Sequence, residues 1–276
     1  MSTDTTEYMP PESLGTRDGR SRLTDRRILV IGGGQDSHDI EDPPIGNGRA
    51  MSVLFAREGA QVAVADCVLS AAKETCQQIA EDNRTAIAIE ADITKPDDIT
   101  RMFSEAADQL GGLDGIVYNV GIVAETWLKN ITPEGWDKTL SANLRGAALS
   151  LKEALSLMDD NGSIILISSL ASMKPGSRLP AYDASKAALA GLMRHAAMEG
   201  ARRGIRVNIV APGLIDTSLG RLATKGRPGR AKTPVPLGRQ GPGWETANAA
   251  LFLMSDEAAY ITGQILSVDG GMSTIT

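Results

Sequence analysis

The feature that most constrains this chain is the order of its apolar runs. Four short β-type runs, Ile28–Ile31, Val62–Ala65, Ala86–Ile89 and Gly115–Tyr118, are each followed by a segment of helical character. Arg49–Arg57, Ser70–Glu81 and Asp97–Gln109 carry apolar residues at three- and four-residue spacing beside charged ones, the pattern of a helix with one buried face. The alternation continues with a helix over Pro133–Leu157, a strand over Ser163–Ile167, a long helix over Ala181–Arg203 and a strand over Arg206–Val210. A helix near Trp244–Met254 and a strand over Gln264–Val268 complete it. Strands separated by helices cannot pair as hairpins, so they lie parallel with helices covering both faces. The expectation is an α/β fold, one doubly wound domain with a seven-stranded parallel sheet.

A chain of 276 residues can fill one large domain, placed here at residues 26–276. Met1–Asp25 is rich in Thr, Ser, Asp, Arg and Pro, and reads as a mobile arm with little to bury. Ser218–Gln240 holds Gly220, Gly226, Pro228, Gly229, Pro234, Pro236 and Gly238, too many breakers for a regular element, and reads as a substrate loop or lid. The net charge of −6 argues against broad binding to nucleic acid or to an anionic membrane. No apolar run approaches the ~18 residues of a membrane span, and the first stretch lacks the apolar core of a secretory signal. The two cysteines, Cys67 and Cys76, fit neither a redox pair nor a zinc cluster. They read as packing residues of a cytoplasmic protein that holds no metal.

After the first run comes Gly32-Gly33-Gly34, and before the first helical segment comes Ile45-Gly46-Asn47-Gly48-Arg49-Ala50. Glycine there lets the chain turn sharply and bring backbone amides against a pyrophosphate at the positive end of a helix. Asp66 closes the second run at about the 20-residue offset where an acid accepts the ribose hydroxyls of a dinucleotide. The same carboxylate would repel a 2′-phosphate, and no Arg or Lys sits among Gly32–Gly48 or directly after Asp66. NAD is therefore favoured over NADP, with Arg49 the nearest basic residue for the alternative. Between the glycine groups, Gln35–Pro44 inserts His38, four acids and two prolines. It reads either as a surface excursion or as a flap over the cofactor.

Tyr182-Asp183-Ala184-Ser185-Lys186 opens the long helix, and the i, i+4 spacing puts the tyrosine and lysine on one face. A phenol with a reference pKa near ~10 is a poor base at neutral pH unless adjacent positive charge stabilises its phenolate. Lys186 is expected to supply that charge, as is the oxidised nicotinamide of a bound cofactor. Ser168-Ser169 follows the Ser163–Ile167 strand, at the carboxyl edge where ligands bind in such sheets, and a hydroxyl there can hold a substrate oxygen. Together these groups can move a proton between water and a hydroxyl or carbonyl group.

At these residues the chain resembles the short-chain dehydrogenase/reductase family, Rossmann-fold oxidoreductases dependent on NAD or NADP, from about Arg27 to its end. The Y-x-x-x-K motif is Tyr182 and Lys186, and the family's serine, thirteen positions before its tyrosine, selects Ser169 over Ser168. Asn143, in Ser141-Ala142-Asn143-Leu144-Arg145-Gly146, matches the asparagine that holds a water of the proton relay. The resemblance implies Tyr182 as acid/base, Ser169 on the substrate, Lys186 on the nicotinamide ribose and Asn143 on the relay water. It further implies Gly32, Gly33, Ile45 and Gly46 at the phosphates and Asp92 and Ile93 beside the adenine. Asn119 and Gly121 follow the fourth strand, and Pro212, Gly213, Ile215 and Thr217 lie near the carboxamide. The implied activity interconverts a secondary alcohol and a ketone. The implied assembly is a dimer or tetramer built on the long helix, whose Ala184, Ala187, Ala188, Ala190 and Gly191 let another helix approach closely.

The chain departs from the family pattern at three places. Asn-Asn-Ala-Gly is replaced by Tyr118-Asn119-Val120-Gly121, the threonine before the first glycine by Ile31, and the glycine loop carries the insertion. Enoyl reductases also have a longer glycine loop, but their lysine lies further beyond the tyrosine, where this chain has Leu189. A silent nucleotide sensor on the same fold would not need a proton relay, and a sugar-nucleotide epimerase would need more chain after Pro212. His38 and His195 are assigned no part in catalysis. Ile122, Trp127, Met173, Arg178 and Leu219 are candidate pocket residues. The loop at 218–240 carries Arg221, Lys225, Arg227, Arg230, Lys232 and Arg239 and no acid. It reads either as a solvated loop or as a cover for an anionic substrate.

Overall fold

The computed structural model describes residues 9–124, 126–225, 227, 229–230 and 233–275. A short helix α1 (Pro11–Leu14) precedes β1 (Arg27–Ile31), α2 (Asn47–Arg57), β2 (Gln61–Asp66), α3 (Leu69–Glu81) and β3 (Ala86–Glu90). Next come α4 (Pro96–Leu110), β4 (Gly115–Tyr118), α5 (Pro133–Leu140), α6 (Gly146–Leu157), β5 (Ser163–Ile167) and α7 (Pro180–Gly200). The chain ends with β6 (Arg206–Pro212), β7 (Ile215–Asp216), α8 (Ser218–Lys225), β8 (Gly241–Pro242), α9 (Gly243–Met254) and β9 (Ile265–Val268).

Seven strands form one parallel sheet in the order β3-β2-β1-β4-β5-β6-β9, as the alternation demands. β1 is central: Ile28 lies opposite Val62 on one side and Gly115 on the other. Because helices cover both faces, the inner strands are apolar at consecutive positions rather than alternate ones. Leu29 and Ile31 point into the core under α4, α6 and α7, while Ile28 and Val30 point into the core under α2, α3 and α9.

Three expectations are corrected. The helix over Pro133–Leu157 is interrupted by a π-turn at Ser141–Arg145, a local widening that frequently marks functional sites. Within Ser218–Gln240, residues 218–225 form α8. Gly220 does not break it; the glycine is required there, since a Cβ would collide with the Ile215 carbonyl oxygen. The third concerns the amino-terminal arm, of which residues 9–25 are packed, while Met1–Tyr8 lie outside the described residues. Leu23 is fully buried, the Ser13 hydroxyl donates to Glu245 at 2.8 Å, and Arg57 donates to the Gly15 carbonyl at 2.6 Å. The buried Glu58 carboxylate accepts from the Arg20 and Arg22 amides and from the Arg22 guanidinium. Composition made the segment look unanchored because the anchors are one leucine and scattered polar contacts rather than an apolar run.

Candidate active site

Strand order reverses between β1 and β4, so the crossovers diverge and leave a cleft at the carboxyl ends of the strands, the place where open α/β sheets bind ligands. The cleft here is about 1680 Å³, above the ~300–1,000 Å³ of ordinary small-molecule pockets, so a dinucleotide and a second molecule can share it. Of the sequence-predicted residues, Gly32, Gly46, Asp66, Asp92, Ile93, Asn119, Gly121, Ser169, Tyr182, Lys186, Pro212, Gly213, Ile215 and Thr217 line it. Thus residues up to 185 positions apart in sequence, from Gly32 to Thr217, converge on one space.

At one end lies the glycine turn. Gly48 is needed because a Cβ there would collide with the Gly32 carbonyl oxygen, while Asn119 donates to that same oxygen at 2.8 Å and ties the turn to β4. Asp66, at the end of β2, accepts from the Gly34 amide at 3.0 Å and the Val68 amide at 3.1 Å, which fixes the carboxylate at the cleft wall. Asp92 accepts from the Thr94 hydroxyl, which holds its carboxyl below the usual range.

Two predicted phosphate residues are turned away from this end. The Gly33 amide donates to the Ala65 carbonyl and its own carbonyl accepts from Thr75, so its peptide groups are used within the fold. Ile45 packs into the α2–α9 core. Gly46 does line the cleft, but its amide donates to the Gln35 side chain at 2.7 Å, and Gln35 also donates to the Pro44 carbonyl at 3.2 Å. Gln35 thereby ties off the insertion at its base. Arg49 is buried and donates to Thr75 at 3.0 Å and Glu74 at 3.0 Å, outside the cleft. Cys67 is exposed at the cleft beside Asp66 rather than packed, because it falls just past the end of β2. Neither Asn47 nor Gln35 carried a sequence signal, yet both line the cleft, and the Asn47 side-chain oxygen is buried without a hydrogen-bond partner.

At the other end, Pro180 opens α7 and Tyr182 sits in its first turn, with Lys186 one turn on. The Lys186 ammonium donates to the Val120 and Ile167 carbonyls, both at 2.9 Å, and lies 5.8 Å from the Tyr182 ring centre. It is 2% exposed and, among the described residues, makes no ion pair with a carboxylate, and burial lowers its pKa to about 7. Burial likewise raises the Tyr182 phenol above its ordinary value, opposed by a hydrogen bond with Ser169 and by the positive charge of Arg230. The expected electrostatics are therefore corrected. In the ligand-free protein burial outweighs the Ser169 hydrogen bond and the Arg230 charge, so the phenol stays above its ordinary value, and Lys186 is not among the groups that lower it.

The paired serines divide their tasks. Ser168 donates to the Lys186 carbonyl at 2.9 Å and secures α7, while Ser169 accepts from the Ala171 amide at 3.2 Å and meets Tyr182. Asn143 is fully buried in the π-turn and does not line the cleft. Its amide brackets Ile122, accepting from the Ile122 nitrogen at 2.8 Å and donating to its carbonyl at 2.9 Å, with the second hydrogen given to Ser185 at 3.0 Å. The side chain is a brace for the Ile122 segment, not a ligand of the cleft.

Ile122, Arg178 and Leu219 line the cleft, whereas Trp127 and Met173 are exposed outside it. His195 is exposed and paired with Glu199 at 2.8 Å, away from Ser169. In the basic loop, Arg221 pairs with Asp216 and Arg239 with Glu245, while Arg227 and Arg230 line the cleft. Lys232 and the Lys225 side chain lie outside the described residues. Arg221 also feels the charge of Asp42 in the insertion. Among the described residues, no helix is long and apolar enough to cross a membrane, and no cluster of three His, Cys, Asp or Glu could hold a metal.

Comparison with known proteins agrees with this geometry. A family model described as enoyl-(acyl carrier protein) reductase matches residues 45–273. The chain is 33% identical over 263 residues to 2-(S)-hydroxypropyl-CoM dehydrogenase 3 of Xanthobacter autotrophicus, covering 92% of this chain and 99% of the relative. It is 33% identical over 255 residues to acetoacetyl-CoA reductase of Synechocystis sp., covering 91% and 98%. The crystal structure of a short-chain dehydrogenase/reductase from Burkholderia xenovorans superposes with a TM-score of 0.83 at 34% identity, covering 91% of this chain and 98% of that one.

Proposed function

Because this chain belongs to the short-chain dehydrogenase/reductase family of Rossmann-fold oxidoreductases, we propose that it interconverts a secondary alcohol and a ketone with NAD(H), using Tyr182 as the general acid/base. The observation that carries the reading is the meeting of Tyr182, Ser169 and Lys186 at one end of a cleft whose other end holds the glycine turn and Asp66. The residues present fit a dinucleotide: a turn too tight for any Cβ at Gly48, an acceptor carboxylate at Asp66, and an unpartnered Asn47 oxygen between them. NAD is preferred because Arg49, the nearest basic residue to the glycine loop in the sequence, is tied to Thr75 and Glu74. Asp36 and Asp66 would both repel a 2′-phosphate.

When bound, NAD supplies the site for the hydride. The protein supplies the proton: Tyr182 gives it to a ketone oxygen or takes it from a hydroxyl, while Ser169 holds that oxygen in line. Lys186 stays oriented by the Val120 and Ile167 carbonyls toward the nicotinamide ribose, and Asn143 positions the Ile122 segment at the cleft floor. We place the protein in the cytoplasm as a dimer or tetramer. Support for assembly is the solvent-facing row Ala184, Ala187 and Gly191 on α7, where a second helix can approach.

The test is turnover of a panel of secondary alcohols and ketones with NAD(H) and NADP(H), by wild type and Tyr182→Phe. The variant is expected to lose about 10²–10⁴-fold in kcat, the worth of a positioned acid/base, and to keep its affinity for NAD. Undiminished turnover in Tyr182→Phe would refute the assignment.

A further inference from the structure

The arginines around the cleft fall into two groups. Arg221 and Arg239 point outward into ion pairs with Asp216 and Glu245. Arg178, Arg227 and Arg230 line the Tyr182 end and make no salt bridge among the described residues. Among the described residues, the Arg227 side chain donates to the carbonyls of Ser177 and Ala223, and that of Arg230 to the Gly220 carbonyl at 3.0 Å and the Thr224 hydroxyl at 2.8 Å. A guanidinium has five N–H donors, so each has donors to spare.

Their charges are felt rather than neutralised. Burial and repulsion from Arg227 depress the Arg230 pKa, and burial and repulsion from Arg178 depress that of Arg227. Asp183 answers them only in part: it attracts Arg227 without a salt bridge, burial raises its carboxyl, and its hydrogen bond comes from Ser177 at 2.5 Å. Beside them the Ser218 hydroxyl, 3% exposed and lining the same cleft, has no hydrogen-bond partner. Like charges brought together and partly desolvated are costly unless a ligand supplies the counter-charge. The location separates this cluster from the glycine turn, since the Arg230 charge acts on Tyr182.

We propose that Arg227 and Arg230, flanked by Arg178 and Ser218, form an anion subsite, so that the alcohol or ketone turned over at Tyr182 carries a carboxylate, sulfonate or phosphate group. The proposal rests on the reading of Tyr182 as the reacting end. Planar guanidinium forks suit such oxyanions, which accept two parallel hydrogen bonds. The apolar members of the cleft, Leu219, Leu222 and Ile122 among them, are left to hold the chain between anion and reacting carbon.

Matched pairs test it: short hydroxy acids against their methyl esters, together with hydroxyalkyl sulfonates and phosphates, on wild type, Arg227→Met, Arg230→Lys and Arg227→Met/Arg230→Met. Wild type is expected to prefer the anion, and in the double variant the ratio of kcat/KM for acid over ester should fall roughly 10- to 100-fold, the worth of a charged hydrogen bond. Arg230→Lys, which keeps the charge felt by Tyr182, should fall less. A second readout needs no catalysis. Inorganic sulfate should raise the melting temperature of wild type and not of the double variant, without altering NAD affinity. Turnover of no alcohol at all would fail the oxidoreductase reading while the sulfate shift still judged the subsite. A wild type that prefers the ester, or a sulfate shift unchanged in the double variant, overturns the proposal.

Discussion

Lys186 is an amine in an unusual place, buried against two carbonyls, and its pKa falls to about 7. In an unfolded chain a lysine titrates near ~10.4. Between those values the unfolded state holds one more proton than the folded state, so stability of the ligand-free protein rises with pH there, by up to ~1.4 kcal/mol per pH unit. Below pH 7 both states are charged and the cost of holding the ammonium in the fold is present in full. Lys186→Met removes the titration. Urea unfolding at pH 6, 7.5 and 9 should therefore show wild type gaining on the variant as pH rises, and parallel behaviour would mean that the amine titrates in the fold as it does in water. Tyr182 is likewise held above its ordinary value by its own burial, which the Ser169 hydrogen bond and the Arg230 charge only partly offset.

Among the elements, the π-turn between α5 and α6 does the most to shape the cleft. Its Asn143 holds both backbone groups of Ile122 and the Ser185 hydroxyl, linking α7 to the segment after β4. Asn143→Ala would orphan these buried groups at about 1–3 kcal/mol each. The expected result is a lower denaturant midpoint with loss of turnover, and a midpoint equal to wild type would remove Asn143 from its role as a brace. The insertion at 35–44 is organised in the same way, by one side chain at its base, since Gln35 bonds to Pro44 and Gly46. Of its acids, Asp36 lines the cleft, while the charge of Asp42 is felt by Arg221 of α8.

At the scale of the whole molecule, the amino-terminal segment clamps the α2–α9 layer from outside. Burial pushes the Glu58 carboxyl up, but hydrogen bonds from Arg22 and from the Arg20 and Arg22 amides more than offset this and leave it below the usual range. Deleting residues 1–25 would leave Glu58 as a buried, unpaired anion, on the order of 3–5 kcal/mol, and remove the Leu23 side chain, about 2 kcal/mol. The melting temperature should fall well below that of a chain lacking residues 1–8 alone, and Glu58→Leu should recover part of the loss. Equal melting temperatures would show that the clamp contributes nothing. The site and the clamp meet through Glu245, which joins Ser13 to Arg239 of the basic loop.

Local pattern was enough for the parallel sheet and for the pairing of Tyr182 with Lys186. A parallel strand buried on both faces writes its apolar run directly into the chain, and a spacing of four on a helix fixes which side chains share a face. Packing between distant segments decided the rest. Gly33 and Ile45 turn inward because Thr75 and the α2–α9 core claim them, Arg49 leaves the cleft for Glu74, and the Asn143 amide is taken by Ile122. The order of residues could name the basic loop but not sort its arginines. Only the fold, by setting Asp216 and Glu245 beside two of them and Tyr182 beside another, determined which charges are neutralised and which remain for a ligand.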